Sequence, residues 1–234
     1  MTAPLIELTG VTKIYPAEEP LRIGSLRVSP GETLALGGFD AGAAEMLILL
    51  ITGAAVPDEG VVRTGGQDTR TIATDTAWLE SLDRFGLVTH RAVLIDKLSI
   101  LSNMALPLTI AIDPVPDDVR PQVVALATEV GLPEARLDDL AGTLTADERL
   151  RVHLARALAP GPAALLLEHP TRTIETMPAR VAFGTLLRDI ATRRGLAFVA
   201  LTDDPAFAKA SRARRLNLDS TTGALKTPRW WHRS

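Results

Sequence analysis

The sequence predicts an α/β fold built on a parallel core sheet, and three observations carry that expectation. Strand-like and helix-like segments alternate along most of the chain, which is the pattern of βαβ units. Ala163-Ala164-Leu165-Leu166-Leu167 and Ala197-Phe198-Val199-Ala200-Leu201 are continuous apolar runs, as strands buried on both faces require. The apolar segment Thr33-Leu34-Ala35-Leu36 runs through a glycine loop into the helical stretch Met46–Ile51, a strand–loop–helix unit.

Taken in order, Ile6-Glu7-Leu8-Thr9-Gly10-Val11 alternates as a strand. A second strand near Leu26-Arg27-Val28 reaches the turn Ser29-Pro30-Gly31-Glu32, which returns the chain into Thr33–Leu36. After the loop and its helix, Pro57-Asp58-Glu59-Gly60 makes a turn, Val61-Val62-Arg63 a strand, and Thr64-Gly65-Gly66 a hairpin-like reversal. Thr74 to Asp83 reads as a helix and Gly86-Leu87-Val88 as a short strand. Residues 98–157 read as helical, with interruptions at Pro107, Pro114, Pro116 and Pro133, and so predict a helical insert. A helix at about 178–194, the strand 197–201, a helix at Pro205–Ser211 and two short strands near 215–218 and 223–225 complete the pattern.

Composition narrows the function classes. The 234 residues are 46% hydrophobic with 4% aromatic, which suits an Ala/Leu/Val-rich core. A net charge of −3 carries no general attraction to nucleic acid. With no cysteine, disulfides, thiol catalysis and thiolate-bound metals are excluded. The first residues have neither a basic nor an apolar leader-like region, and the apolar runs are too short to span a bilayer, so a cytoplasmic protein is expected.

The glycine loop Gly37-Gly38-Phe39-Asp40-Ala41-Gly42-Ala43-Ala44-Glu45 is the chemically informative stretch. Gly37 and Gly42 keep the spacing of G-x-x-x-x-G-K-[ST], whose amides, lysine and hydroxyl hold a polyphosphate and its metal. Here Ala43 takes the lysine position and Ala44 the hydroxyl position, while Asp40 and Glu45 add two carboxylates. A helix N-terminus supplies only about half a positive charge, which two nearby carboxylates outweigh. The expectation is that ordinary nucleotide binding is lost here, with ATP and Mg²⁺ held at most weakly and no cofactor assigned.

With this order in hand, the chain resembles an ATP-binding cassette (ABC) transporter ATPase subunit, and is most similar to the lipoprotein-release and macrolide-export type. Leu8-Thr9-Gly10-Val11-Thr12-Lys13-Ile14-Tyr15 resembles the family's first strand, with Tyr15 at the adenine-stacking position. Ser29-Pro30-Gly31-Glu32, Ile51-Thr52-Gly53, Pro57-Asp58-Glu59-Gly60, Leu98–Leu108, Arg151–Leu158 and Pro170-Thr171 match further framework motifs. The resemblance implies a P-loop NTPase-like nucleotide-binding domain over residues 1–225, with a mixed core sheet, an antiparallel β edge and a helical subdomain at about 90–160. Residues 226–234, which include Trp230 and Trp231, would form a basic, aromatic tail.

The same resemblance places departures at the functional positions. The Q-loop glutamine falls on His90, the signature on Leu144-Thr145-Ala146-Asp147-Glu148, the Walker B aspartate on Glu168, the catalytic glutamate on His169, the D-loop aspartate on Glu175 and the switch histidine on Asp203. Thr145 remains a good helix N-cap. Phosphoryl transfer needs a cation on the phosphate oxygens, a held metal and a positioned water, and each departure removes one of these. Hence the resemblance implies a hydrolysis-deficient cassette subunit, a structural or regulatory partner of transmembrane transporter subunits. It would sit at the inner face of the membrane as a homodimer or heterodimer, and would bind no nucleic acid. Two alternatives stand beside it: an ATPase subunit still working in a dimer, and a repurposed cleft. His90, Glu168, His169 and Asp203 would converge in that cleft, and two histidines with carboxylates suit Zn²⁺. Substituted remnants of a nucleotide site account for the same residues, so no metal ligand is assigned.

Overall fold

A computed structural model describes residues 3–16, 19–72, 74–89 and 91–228. The expectations on His90 and on the Trp230-Trp231 tail fall outside the described residues. Among the described residues there are two sheets. Strands β1 (Ile6–Lys13), β2 (Leu21–Val28), β4 (Glu59–Thr64) and β5 (Gln67–Asp68) pair antiparallel in the order β2-β1-β4-β5. Strands β3 (Thr33–Gly37), β6 (Phe85–Val88), β7 (Ala164–Glu168), β8 (Ala197–Leu201), β9 (Arg214–Asp219) and β10 (Ala224–Lys226) form the core sheet in the order β10-β9-β3-β8-β7-β6. Only the β9–β10 pair is antiparallel there, so the core sheet is mixed as expected.

Every residue of β7 and β8 is buried, which is why these strands are apolar without alternation. In β1 the pairing with β4 shifts between Thr9 and Thr12, and Gly10 adopts φ +58 within the shift. Gly60, at φ +77, lies against that irregularity, and a Cβ there would stand 2.3 Å from the Gly10 carbonyl oxygen. Only glycine allows the two backbones to approach so closely. The antiparallel strands make a sheet of their own, tied to the core sheet where the Gly24 amide donates to the Gly223 carbonyl at 2.7 Å.

Helix α1 (Ala41–Thr52) follows the glycine loop and ends on Gly53 in the left-handed conformation. Helix α2 (Asp75–Leu82) precedes β6. The expected helical region resolves into α3 (Ile100–Ala105), α4 (Arg120–Glu129) and α5 (Ala146–Leu158), with 3₁₀ turns at Glu134–Arg136 and Ala141–Thr143. Pro107 follows directly on the end of α3, and residues 106–119, which hold Pro107, Pro114 and Pro116, form no helix. Helix α6 (Met177–Arg194) and helix α7 (Pro205–Ala210) complete the chain, joined by Phe183 and Phe207, whose buried rings lie 6.0 Å apart.

Two apolar clusters lie on opposite faces of the core sheet. One packs α1 between the two sheets through Leu47, Leu50 and Ile51 against Ile6, Leu8 and Leu36. The other joins α3–α7 to the far face through Val152, Phe183, Phe198 and Phe207. Parallel strands β3, β7 and β8 therefore point their carboxyl ends, at Gly37, Glu168 and Leu201, toward one edge. That edge is where open α/β sheets place their sites.

Candidate functional site

The loop between β3 and α1 is bonded largely to the chain's own carboxylates. Asp40 is the N-cap of α1, and its Oδ1 accepts from the Ala43 amide at 2.7 Å. From the end of β8, Asp203 reaches across, and its Oδ1 accepts from the Gly38 amide at 2.9 Å. A Cβ at Gly37 would stand 2.6 Å from that same oxygen and 2.7 Å from Asn217 Oδ1, so the first glycine clears room for Asp203. Gly38 has φ +78, and a Cβ there would stand 2.9 Å from the Leu218 carbonyl oxygen. The Ala43 amide, in the first turn of α1, is one of the groups that a phosphate would otherwise recruit at a helix N-terminus.

Ala43 and Ala44 turn inward. They are 8% and 0% exposed and pack with Leu47 and Ile48 in the cluster between the sheets. Tyr15 lies over Gly42, its Cε2 3.3 Å from where a Cβ would be. Partial burial, assisted by the negative charge of Asp40, pushes its phenol above the ordinary value of 10.0. A cavity of ≈ 420 Å³ opens between Tyr15, Arg22, Gly38, Asp40, Ala43 and Leu218. Among the described residues, Arg22 is the arginine that lines it and Asp40 and Glu19 the carboxylates.

Glu45, one turn into α1, pairs with Arg91 at 2.5 Å. The other terminal nitrogen of Arg91 pairs with Glu168 at 2.5 Å, and the Thr89 hydroxyl donates to the same Glu168 oxygen at 2.7 Å. Glu168 is 2% exposed, so this guanidinium stabilises a carboxylate that water scarcely reaches. Sequence reasoning missed Arg91, which stands one residue past the position of His90. No local signal pointed to it, because its two carboxylates come from α1 and β7.

His169 lies at φ +42, in the left-handed region where histidine is among the more tolerated residues. Its amide donates to the Leu201 carbonyl at 2.9 Å. It faces a cavity of ≈ 540 Å³ with Thr171, Arg172, Arg180, Asp203 and Asp204. The two adjacent aspartates diverge: Asp203 turns to the loop, while Asp204 caps α7 and accepts from the Thr171 hydroxyl at 2.7 Å. Glu175 is exposed beyond this cavity. Among the described residues, no group of three or more His, Asp or Glu side chains is placed to hold a metal ion.

The segment Leu144–Glu148 begins α5. Leu144 is buried, and Thr145 and Glu148 form a reciprocal capping box. The Thr145 amide holds the Glu148 carboxyl below its ordinary 4.5, and Arg136 at 2.7 Å adds to the effect. Asp147 pairs with Arg151 at 2.7 Å, and Ala146 turns toward a third cavity of ≈ 360 Å³ shared with Thr89, Leu150, Glu168 and His169. His153 lines that cavity as well. It is half-buried, and desolvation, with the charges of Arg156 and Arg149, pushes it down to about 4.

These groups do not fit a metal-bound nucleoside triphosphate held in the manner of G-x-x-x-x-G-K-[ST]. Two loop amides are taken by carboxylates, Ala43 and Ala44 are buried and offer neither a cation nor a hydroxyl, and Glu168 is bound to a guanidinium.

Residues 21–172 match the family model described as ABC transporter. The lipoprotein-releasing system ATP-binding protein LolD of Anaeromyxobacter dehalogenans is 32% identical over 212 residues, covering 89% of this chain and 88% of that protein. The macrolide export ATP-binding/permease protein MacB of Syntrophobacter fumaroxidans is 30% identical over 213 residues, but the chain spans only 30% of its length. Among solved structures, a dimeric ATP-binding cassette in a post-hydrolysis state bound to ADP and Pi superposes with a TM-score of 0.75 at 22% identity, covering 97% of this chain. A nucleotide-free cassette from an ABC transporter gives 0.75 at 16% identity over 95% of this chain.

Proposed function

The chain belongs to the ABC transporter family of ATP-binding cassettes, and from that premise we propose that it is a cassette subunit kept for its shape rather than for hydrolysis. Cassettes of this family pair with transmembrane subunits and dimerise. In this reading the chain binds such partners at the inner face of the membrane and contributes structure or regulation to a transport complex. The observation that carries it is the state of the loop amides: Gly38 and Ala43 donate to Asp203 and Asp40. A triphosphate would meet two carboxylates of its own sign already bonded to those amides.

The framework that partners would meet is intact. The sheet, the capped α1 and the capped α5 are all present, and the apolar side chains Leu87, Val93 and Ile95 stand exposed along the segment from β6 to α3. Val93 is 76% exposed, the most exposed of the three. The decisive experiment is Mg-ATP affinity and turnover of the purified protein, alone and with its membrane partner. Absent turnover and weak or absent binding are expected. Micromolar binding with sustained hydrolysis by this chain would overturn the proposal.

A further inference from the structure

Arg91 sits where the core sheet, α1 and the helical region meet, and it is the cation shared by Glu45 and Glu168. The residues that follow it are tied in the other direction. The Val93 carbonyl accepts from Arg156 of α5 at 3.1 Å. Asn103 of α3 holds the Ile95 amide at 2.8 Å and the Ile95 carbonyl at 3.0 Å. Arg149 of α5 pairs with Asp96 at 3.0 Å, and the Gly142 amide donates to the Asp96 carbonyl at 3.1 Å. Residues 91–96 thus form a strap, anchored to α1 and β7 at one end and to α3 and α5 at the other.

The anchors differ in kind. At the helical end they are four hydrogen bonds and an ion pair, spread over three residues. At the core end, among the described residues, the charged anchoring of the strap rests on one guanidinium between two carboxylates from different elements, beside the apolar burial of Leu94. That arrangement is the geometry of a bridging cation: one positive charge hydrogen-bonds to both carboxylates, offsets part of their mutual repulsion and sets their separation. A divalent metal bound with a nucleotide would supply the same service only while the ligand is present, whereas a covalently attached guanidinium supplies it always.

We propose that Arg91 is an internal cation that clamps the helical region to the core sheet, so that the strap and its exposed Val93 and Ile95 hold one position whether or not nucleotide is present. This inference rests on the reading of the chain as a non-hydrolysing cassette, and it names how the partner-facing segment of that cassette is regulated: by a permanent salt bridge instead of a ligand cycle.

Hydrogen–deuterium exchange of the full chain tests it. In the wild type, amide exchange across 91–97 and the first turn of α5 is unchanged by excess Mg-ATP. In Arg91→Ala the same segments exchange roughly tenfold faster or more, the scale set by loss of charge-assisted hydrogen bonds, while β3 and β8 are unaffected. Arg91→Lys recovers only part of the protection, because an ammonium cannot fork to two carboxylates in fixed geometry. Should Arg91→Ala fail to fold, Glu45→Gln removes one arm at a partly exposed site and raises strap exchange by a smaller factor. Unchanged strap exchange in Arg91→Ala, or in Glu45→Gln if the first does not fold, would overturn the clamp. So would strap protection in the wild type that rises with Mg-ATP. ATP turnover measured on the same samples keeps the two ideas apart: a hydrolysing wild type defeats the proposed function, while an inactive protein whose strap ignores Arg91 defeats only the clamp.

Discussion

Replacing Asp40 by alanine separates two roles that the sequence leaves open, a carboxylate facing a ligand site and a carboxylate spent on its own helix. In the structure it does the second, accepting from the Ala43 amide at 2.7 Å as the N-cap of α1. Loss of an N-cap oxygen costs about 1 kcal/mol, within a range of roughly 0.5–2. Loss of the charge at the positive end of the helix adds roughly 0.3–1 kcal/mol. No acidic residue in the first turn substitutes for it, and Ala43 and Ala44 are core residues whose position depends on that turn. The expected destabilisation of Asp40→Ala is therefore about 1.5 kcal/mol, a fall in Tm of about 3–6 °C for a chain of this size. Asp40→Asn is the control, since asparagine caps about as well, and it should lose only the smaller charge contribution. Urea and thermal unfolding of the three proteins decide the matter. An Asp40→Ala protein as stable as the wild type, or an Asp40→Asn protein equally damaged, would refute the assignment of this carboxylate to the helix.

Three further outcomes follow from the same coordinates. His153 is held neutral by desolvation, so below its ordinary 6.5 the unfolded chain takes up a proton that the folded chain refuses until about 4. Stability is then lost as pH falls from 6.5 toward 4, and His153→Gln should flatten that part of the Tm-versus-pH curve; an unaltered slope would show that the residue titrates normally. Gly86→Ala would set a Cβ 2.3 Å from the Ala157 carbonyl oxygen and 2.6 Å from Leu165 Cδ2, forcing β6 off α5 at a cost of roughly 1–3 kcal/mol, read as a lower urea midpoint. Restoring only the lysine and hydroxyl, as Ala43→Lys with Ala44→Ser, should leave Mg-ATP binding undetectable by calorimetry, whereas adding Asp40→Ser, Asp203→His and Arg91→Gln should bring it into range.

The sheet was legible because its central strands have to be apolar on both faces, and β3, β7 and β8 fell within a residue or two of their expected bounds. Strand β2 was read five residues short. Its buried positions are Leu21, Ile23, Leu26 and Val28, so the alternation slips by one at Gly24-Ser25 and the period-two signal breaks there. The close approach of α5 to β6 was not legible: it depends on Gly86, where a Cβ would stand 2.3 Å from the Ala157 carbonyl oxygen. Thr145 as a cap was readable locally, since a capping box is a four-residue pattern. The partners of Asp40 and Asp203 were not. A carboxylate's effect on an anion site depends on where its oxygens point, and Asp203 is 165 residues away from the Gly38 amide it accepts from. Arg91 was invisible for the same reason, as its two carboxylates come from α1 and β7.

The magnitudes set the lost lysine beside the added carboxylates. Two unit charges about 5 Å apart interact by about 3 kcal/mol at an effective dielectric of about 20. Removing the lysine forfeits one such attraction. Asp40 and Asp203 on the loop amides impose two repulsions on any phosphate brought to the same place, each well below that figure because both carboxylates are exposed and screened by solvent. Micromolar affinity is worth only about 8 kcal/mol in total. The carboxylates therefore oppose a bound phosphate by a fraction of that affinity, and they do so while serving the fold, Asp40 as a cap and Asp203 as an acceptor for the Gly38 amide. Arg91 completes the same logic at the metal position, where Glu45 and Glu168 would repel each other without it. Each charge that disfavours a bound nucleotide is satisfied within the chain, which is what a cassette needs if its loop is to keep its shape with nothing bound.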